Sequence, residues 1–182
     1  MIKRVAIFGC SEIGPQDPLY GEVFEVAKLL ATKGYTIVNG GGPGLMKAST
    51  EGAKEGGGKS VGIYFKPDGM THFEGRDTTN LVDESIETAN YVERTLKLLE
   101  YGDCYVIFKG GTGTISEFGM AWGLARLYFG KHKPLILYGS FWHEILEAFG
   151  TNMFLREEEL RVYRIVDNPE EVLEAIREFS VG

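Results

Sequence analysis

The sequence predicts an α/β domain, a doubly wound parallel sheet with helices on both faces, spanning residues 1–182 as a single domain. Three observations predict it. Short runs that are apolar on successive residues alternate with longer segments of helical period. The short runs are β-rich and unbroken, as in strands covered on both sides. Glycine clusters stand where a strand gives way to a helix, the place where such sheets bind ligands.

The elements follow in order. Residues 5–8 form the first strand, and 19–33 a helix with Val23, Val26, Ala27 and Leu30 on one face. Residues 35–38 are the second strand, and a weaker helix covers 45–55. The third strand is 61–65, and 67–80 is the longest irregular stretch, a loop placed to flank a site. A helix over 89–101 aligns Val92, Leu96 and Leu99 ahead of the strand at 104–108. Residues 114–129 form a helix, 135–138 a strand and 141–149 a helix. A sixth strand lies at 162–166. The last helix opens on Asn168 or Asp167 as cap, Pro169 in the first turn, then Glu170 and Glu171. No linker or internal repeat interrupts the pattern.

Composition narrows the function. With 19 basic against 26 acidic residues the net charge is −7, which argues against nucleic acid as partner, since backbone binding needs clustered Lys and Arg. A small anion held by backbone amides stays open. The apolar run at 5–8 is too short for a signal peptide, and no stretch approaches the roughly 18 apolar residues of a membrane span. Cys10 and Cys104 read as reduced thiols, so the expected location is cytoplasmic.

Glycine is the compositional outlier, with 25 residues in clusters. Gly40-Gly41-Gly42-Pro43-Gly44 follows the second strand, and Gly110-Gly111-Thr112-Gly113-Thr114 follows the strand at 104–108. Each precedes a helix, whose free amides and positive end favour a phosphate. Neither matches the dinucleotide fingerprint, so a nicotinamide enzyme is disfavoured. Gly58-Lys59-Ser60 imitates a P-loop but closes a helix instead of opening one.

Glu117 lies three residues after Thr114. The spacing fits a capping box, and equally a carboxylate set one turn above a phosphate, where the helix start favours its ionised form. Arg94 shares a helical stripe with Tyr91, Leu98 and Tyr101 and either lines a pocket or meets solvent. His72, His132 and His143 have no metal-ligand spacing, so no metal is expected. The helix from Thr114 is apolar around nearly its whole circumference, which suits a core helix or a two-fold contact.

These residues carry a resemblance. Lys109-Gly110-Gly111-Thr112-Gly113-Thr114-Ile115-Ser116-Glu117 resembles the P-G-G-x-G-T-x-x-E motif of the Lonely Guy family of cytokinin-activating phosphoribohydrolases, earlier labelled possible lysine decarboxylases. Gly40-Gly41-Gly42-Pro43-Gly44-Leu45-Met46 is similar to that family's G-G-G-x-x-G-L-M, one residue shorter. Phe8-Gly9-Cys10-Ser11 resembles its opening turn, and Arg94-Thr95 its R-K pair. The resemblance implies a Rossmann-like homodimer that needs no cofactor. It would cleave the N-glycosidic bond of a nucleoside 5′-monophosphate, AMP or an N6-modified AMP, to free base and ribose 5-phosphate. It implies Arg94 and Glu117 as the catalytic pair, and Ser11, Gly41, Gly42, Gly110, Gly111, Thr112, Gly113 and Thr114 as substrate-binding residues. Lys109 replaces the family proline, and Thr95 replaces a lysine, which removes a cation from the expected site. Those departures motivate an alternative, a nucleotide sensor or carrier without chemistry. A pyridoxal-dependent decarboxylase follows only from the older label.

Overall fold

The computed structural model describes residues 2–66 and 76–181. Among them are seven strands, β1 (Arg4–Phe8), β2 (Thr36–Asn39), β3 (Ser60–Phe65), β4 (Glu84–Thr88), β5 (Cys104–Ile107), β6 (Leu135–Tyr138) and β7 (Tyr163–Val166). The helices are α1 (Pro18–Thr32), α2 (Leu45–Glu55), α3 (Tyr91–Tyr101), α4 (Thr112–Leu127), α5 (Phe141–Asn152) and α6 (Pro169–Val181), with a 3-10 turn at Glu157–Leu160. The strands make one sheet in the order β4-β3-β2-β1-β5-β6-β7, every described pair parallel. The doubly wound prediction therefore stands.

Side-chain alternation explains the two layers of core. Along β1, Val5 and Ile7 pack with α1, α2 and α6, while Ala6 and Phe8 pack with α3, α4 and α5. The chain leaves β1 toward β2, β3 and β4, then returns to the opposite side of β1 to lay down β5, β6 and β7. The reversal falls between β1 and β5, so a crevice opens at their carboxyl ends. A backbone bond from Cys10 to the Lys109 carbonyl (3.1 Å) and one from Leu45 to the Cys10 carbonyl (2.9 Å) tie three turns together there.

The helix starts have local causes. Asp17 caps α1 by accepting from the Leu19 amide (2.9 Å), with Pro18 next to it. Asn90 caps α3, accepting from the Glu93 amide at 2.9 Å. Asn168, one of the two candidate caps of the last helix, accepts from the Glu171 amide at 2.9 Å.

Three expectations are corrected. The sheet has a seventh strand, β4, whose sequence Glu84-Ser85-Ile86-Glu87-Thr88 carries one aliphatic residue and shows no apolar run. It is an edge strand, and charge on an edge deters pairing with another chain. Helix α4 begins at Thr112, with Gly111 as its N-cap, so Thr114 lies inside the first turn and forms no capping box with Glu117. Nor is α4 a covered core helix: Ile115, Leu124 and Leu127 stand exposed on it. Of the loop predicted at 67–80, residues 67–75 lie outside the described residues, His72 among them. Among the described residues no helix is long and apolar enough to cross a membrane.

Candidate active site

A cleft of about 650 Å³ opens at the carboxyl ends of β1, β2, β3 and β5. Cys10 and Ser11 from the turn after β1, Gly40 and Met46 around the start of α2, and Tyr64 and Phe65 from the end of β3 line one part of it. Tyr91 and Arg94 from α3, and residues 111–114 with Ser116 and Glu117 from α4, line the rest.

The floor is the start of α4. The first intrahelical bond runs from the Ile115 amide to the Gly111 carbonyl (3.0 Å), and no side chain among the described residues caps the helix. The amides of Thr112, Gly113 and Thr114 thus precede the first bonded amide, at the positive end of the helix dipole, a setting that favours an anion. Gly110 makes the turn sterically feasible. A Cβ there would collide with Thr114 Oγ1 and stand 2.9 Å from the Gly9 carbonyl carbon.

Above the floor, Arg94 Nη1 donates to Glu117 Oε1 at 3.1 Å. Both side chains are largely buried, 13% and 7% exposed. Arg94 is held from behind, with Nε donating to the Ile63 carbonyl at 3.3 Å and Nη2 lying 3.7 Å from Met46 Sδ. Its guanidinium fills the space over Gly40, where a Cβ would collide with Nη2. Burial pushes the Glu117 carboxyl up to about 7, against the pull of Arg94. Burial thus works against the ionised form that the helix start favours, and near neutral pH the carboxyl holds its proton part of the time.

The structure gathers most of the predicted site residues. Arg94, Glu117, Ser11, Gly111, Thr112, Gly113 and Thr114 line the cleft, and Gly110 supports the turn beneath. Gly41 and Gly42 do not line it. Their amides donate to Asn39 Oδ1 (2.8 Å) and Met46 Sδ (3.4 Å), and their carbonyls accept from the Asp77 amide (3.0 Å) and Asn80 Nδ2 (2.8 Å). Thr95 does not line it either. It is 1% exposed and donates to the Tyr91 carbonyl, so its side chain takes no cation away from the cleft. Lys109 points aside, 5.9 Å over the Phe141 ring. Sequence reasoning missed Met46, Tyr64 and Phe65. The signal was available for the last two, which end a strand on the ligand-binding side of the sheet.

Comparisons with known proteins show the family and the fold. A family model described as "Possible lysine decarboxylase" matches residues 46–176. A cytokinin riboside 5′-monophosphate phosphoribohydrolase of Mycobacterium tuberculosis is 31% identical over 132 residues, covering 69% of this chain and 67% of that one. A phosphoribohydrolase of the same name from Arabidopsis thaliana is 30% identical over 116 residues, 63% of this chain and about half (49%) of its own length. Among solved structures, a molybdenum cofactor binding protein of Rippkaea orientalis superposes with a TM-score of 0.72 at 24% identity, covering 98% of this chain and 97% of that one. The molybdenum cofactor carrier protein of Chlamydomonas reinhardtii gives 0.71 at 19% identity over the full length of both. At those identities the two structures share the fold.

Proposed function

The chain belongs to the family described as possible lysine decarboxylase, the Lonely Guy family of the sequence resemblance, and on that footing we propose that it hydrolyses the N-glycosidic bond of a nucleoside 5′-monophosphate. The observation that carries the proposal is the buried Arg94–Glu117 pair set one turn inside an uncapped helix start. Thr114 and Glu117 are three residues apart, about 4.5 Å along the axis. A 5′-phosphate on the amides of α4 therefore brings the anomeric carbon of its ribose toward the carboxylate.

Cleavage breaks the bond between C1′ and the base nitrogen and passes through an oxocarbenium-like ribose. Ionised Glu117 stabilises that positive charge and takes a proton from the attacking water; the hydroxyl goes to C1′ and a proton equal to the one taken goes to the base nitrogen, so that free base and ribose 5-phosphate remain and the carboxylate is restored. A carboxyl that titrates near 7 exchanges protons readily at neutral pH. Arg94 fixes the carboxylate through Nη1. No lysine lines the cleft among the described residues, so it offers no amine for the Schiff base that a pyridoxal-dependent decarboxylase needs.

The test is incubation with a panel of nucleoside monophosphates, with chromatography of the products. Free base and ribose 5-phosphate in equal amounts are expected. Tight AMP binding with no base released would replace this reading with the carrier one.

The proposed assembly is a homodimer. Val92 and Leu96 on α3 and Ile115, Leu124 and Leu127 on α4 are exposed aliphatic residues on helices that pack together on one side of the sheet. A second copy of this chain would cover them, as a two-fold contact requires only one self-complementary face.

A further inference from the structure

The wall of the cleft opposite the β1 turn is aromatic. Phe65 meets Tyr91 edge-on, with ring centroids 6.1 Å apart and planes at 78°. Tyr91 sits at the first position of α3, one turn before Arg94, whose guanidinium carbon lies 6.0 Å from its ring centroid. The Tyr91 hydroxyl is 2.7 Å from Ser116 Oγ, and Ser116 Oγ donates to the Gly113 carbonyl at 2.8 Å. Ser116 has one proton and has given it to Gly113, so the Tyr91 hydroxyl donates to Ser116. The ring is thereby tied to the first turn of α4. It is half-buried and lines the cleft. The other phenol on this wall, Tyr64, is engaged as well, accepting from Arg76 Nη1 at 3.2 Å.

Of the three rings Tyr91 is the one with surface left for a ligand, since Tyr64 and Phe65 are each 9% exposed and the Arg76 guanidinium lies 4.8 Å over the Tyr64 ring. We infer that Tyr91, locked by Ser116, is the specificity-determining residue for the base: it stacks on a purine ring and selects purine over pyrimidine nucleotides by π surface rather than by hydrogen bonds to the base edge. The inference rests on the proposed placement of the phosphate on α4. From there the ribose passes Glu117, and the base extends along the Tyr91 side. Stacking of a base on an aromatic side chain changes affinity by about 5-fold to 100-fold. Because every purine presents a similar face, AMP, IMP and GMP should bind within a few-fold of one another, and UMP about 10-fold more weakly.

The experiment is calorimetric titration of the full chain with AMP, GMP, UMP and ribose 5-phosphate, for wild type, Tyr91→Leu, Tyr91→Phe and Ser116→Ala. Tyr91→Leu should bring the AMP-to-UMP affinity ratio to within about 2-fold, with circular dichroism showing that the variant is folded. Tyr91→Phe and Ser116→Ala, which keep the ring and remove its tether, should fall between wild type and Tyr91→Leu. A wild-type ratio retained in Tyr91→Leu overturns the inference and leaves the phosphate site standing. A wild type that distinguishes AMP from GMP as sharply as from UMP also overturns it, in favour of edge recognition. Failure of wild type to bind ribose 5-phosphate and AMP alike overturns the proposed function and this inference with it.

Discussion

Replacing Glu117 by Gln should change how stability depends on pH, in a direction the burial of this side chain decides. The folded carboxyl titrates near 7, against 4.5 for the same group free in water. A carboxyl with a raised folded value holds its proton in the native state after the unfolded chain has lost it, so stability falls as pH rises from about 4.5 to about 7. Between pH 5 and pH 8 the loss is about 2 to 3 kcal/mol, from about 1.4 kcal/mol for each pH unit that separates the folded and unfolded titrations and the partial ionisation at each end. Glu117→Gln cannot ionise. Urea unfolding of both proteins at pH 5 and pH 8 should therefore show the variant gaining about 2 to 3 kcal/mol on wild type over that interval, whatever its offset at pH 5. All other titrating groups are common to the two chains and cancel in the difference. A flat difference would mean that Arg94 offsets the desolvation fully. A difference of the opposite sign would mean that the ion pair dominates, and would refute the claim that burial outweighs Arg94.

Other outcomes follow from the same geometry. Gly40→Ala should cut turnover by about 10-fold or more and lower Tm, because the new methyl displaces the buried end of the Arg94 side chain and Met46 Sδ; steady-state kinetics and a thermal melt check both halves. Glu117→Gln itself should lower kcat on AMP by about 100-fold, measured as adenine released. Asp103 accepts from the Lys3 and Arg4 amides (3.0 and 2.9 Å) and from the Arg4 guanidinium (2.9 Å), and these bonds hold its carboxyl below the usual range in spite of burial. Asp103→Asn should cost about 1 to 2 kcal/mol at pH 7. A depressed folded value gives stability that is present above the unfolded value and lost as pH falls through the folded one, so the gap between the two proteins in urea unfolding should begin to narrow near pH 4 and keep narrowing at lower pH. Light scattering should find the proposed dimer in wild type and a monomer in Leu127→Glu, with the fold intact by circular dichroism.

How much of this was legible in the sequence follows from what each element asks of its residues. The five strands from β1 to β6, leaving out β4, are apolar on successive residues because both faces are covered, and such runs can be seen without coordinates. β4 hides because it is an edge: one face and one side meet solvent, and Glu84 and Glu87 are compatible with that position while looking like loop. The start of α4 lies two residues ahead of where the sequence puts it, because Thr114 and Glu117 imitate a capping box. Helix starts depend on the backbone, here at Gly111, which has no side chain to announce it.

The site divides in the same way. Its phosphate turn is legible, since close backbone approach requires glycine and Gly110 shows why: any Cβ would collide with Thr114 and Gly9. The role of Gly41 and Gly42 is not, because a glycine run looks the same whether its amides face a ligand or are used internally by Asn39 and Met46. The pairing of Arg94 with Glu117 joins residues 23 apart on two helices, and only the packing of α3 against α4 brings them to 3.1 Å. That packing also explains why Thr95 counts for less than its position beside Arg94 suggests. Adjacent residues on a helix point about 100° apart, so while Arg94 reaches the cleft, Thr95 turns into the core. A substitution next to a site residue in sequence is thus no measure of change in the site. Under the proposed function the choice of base falls to Tyr91 on the aromatic wall, which lies outside the glycine motifs in sequence but against them in space.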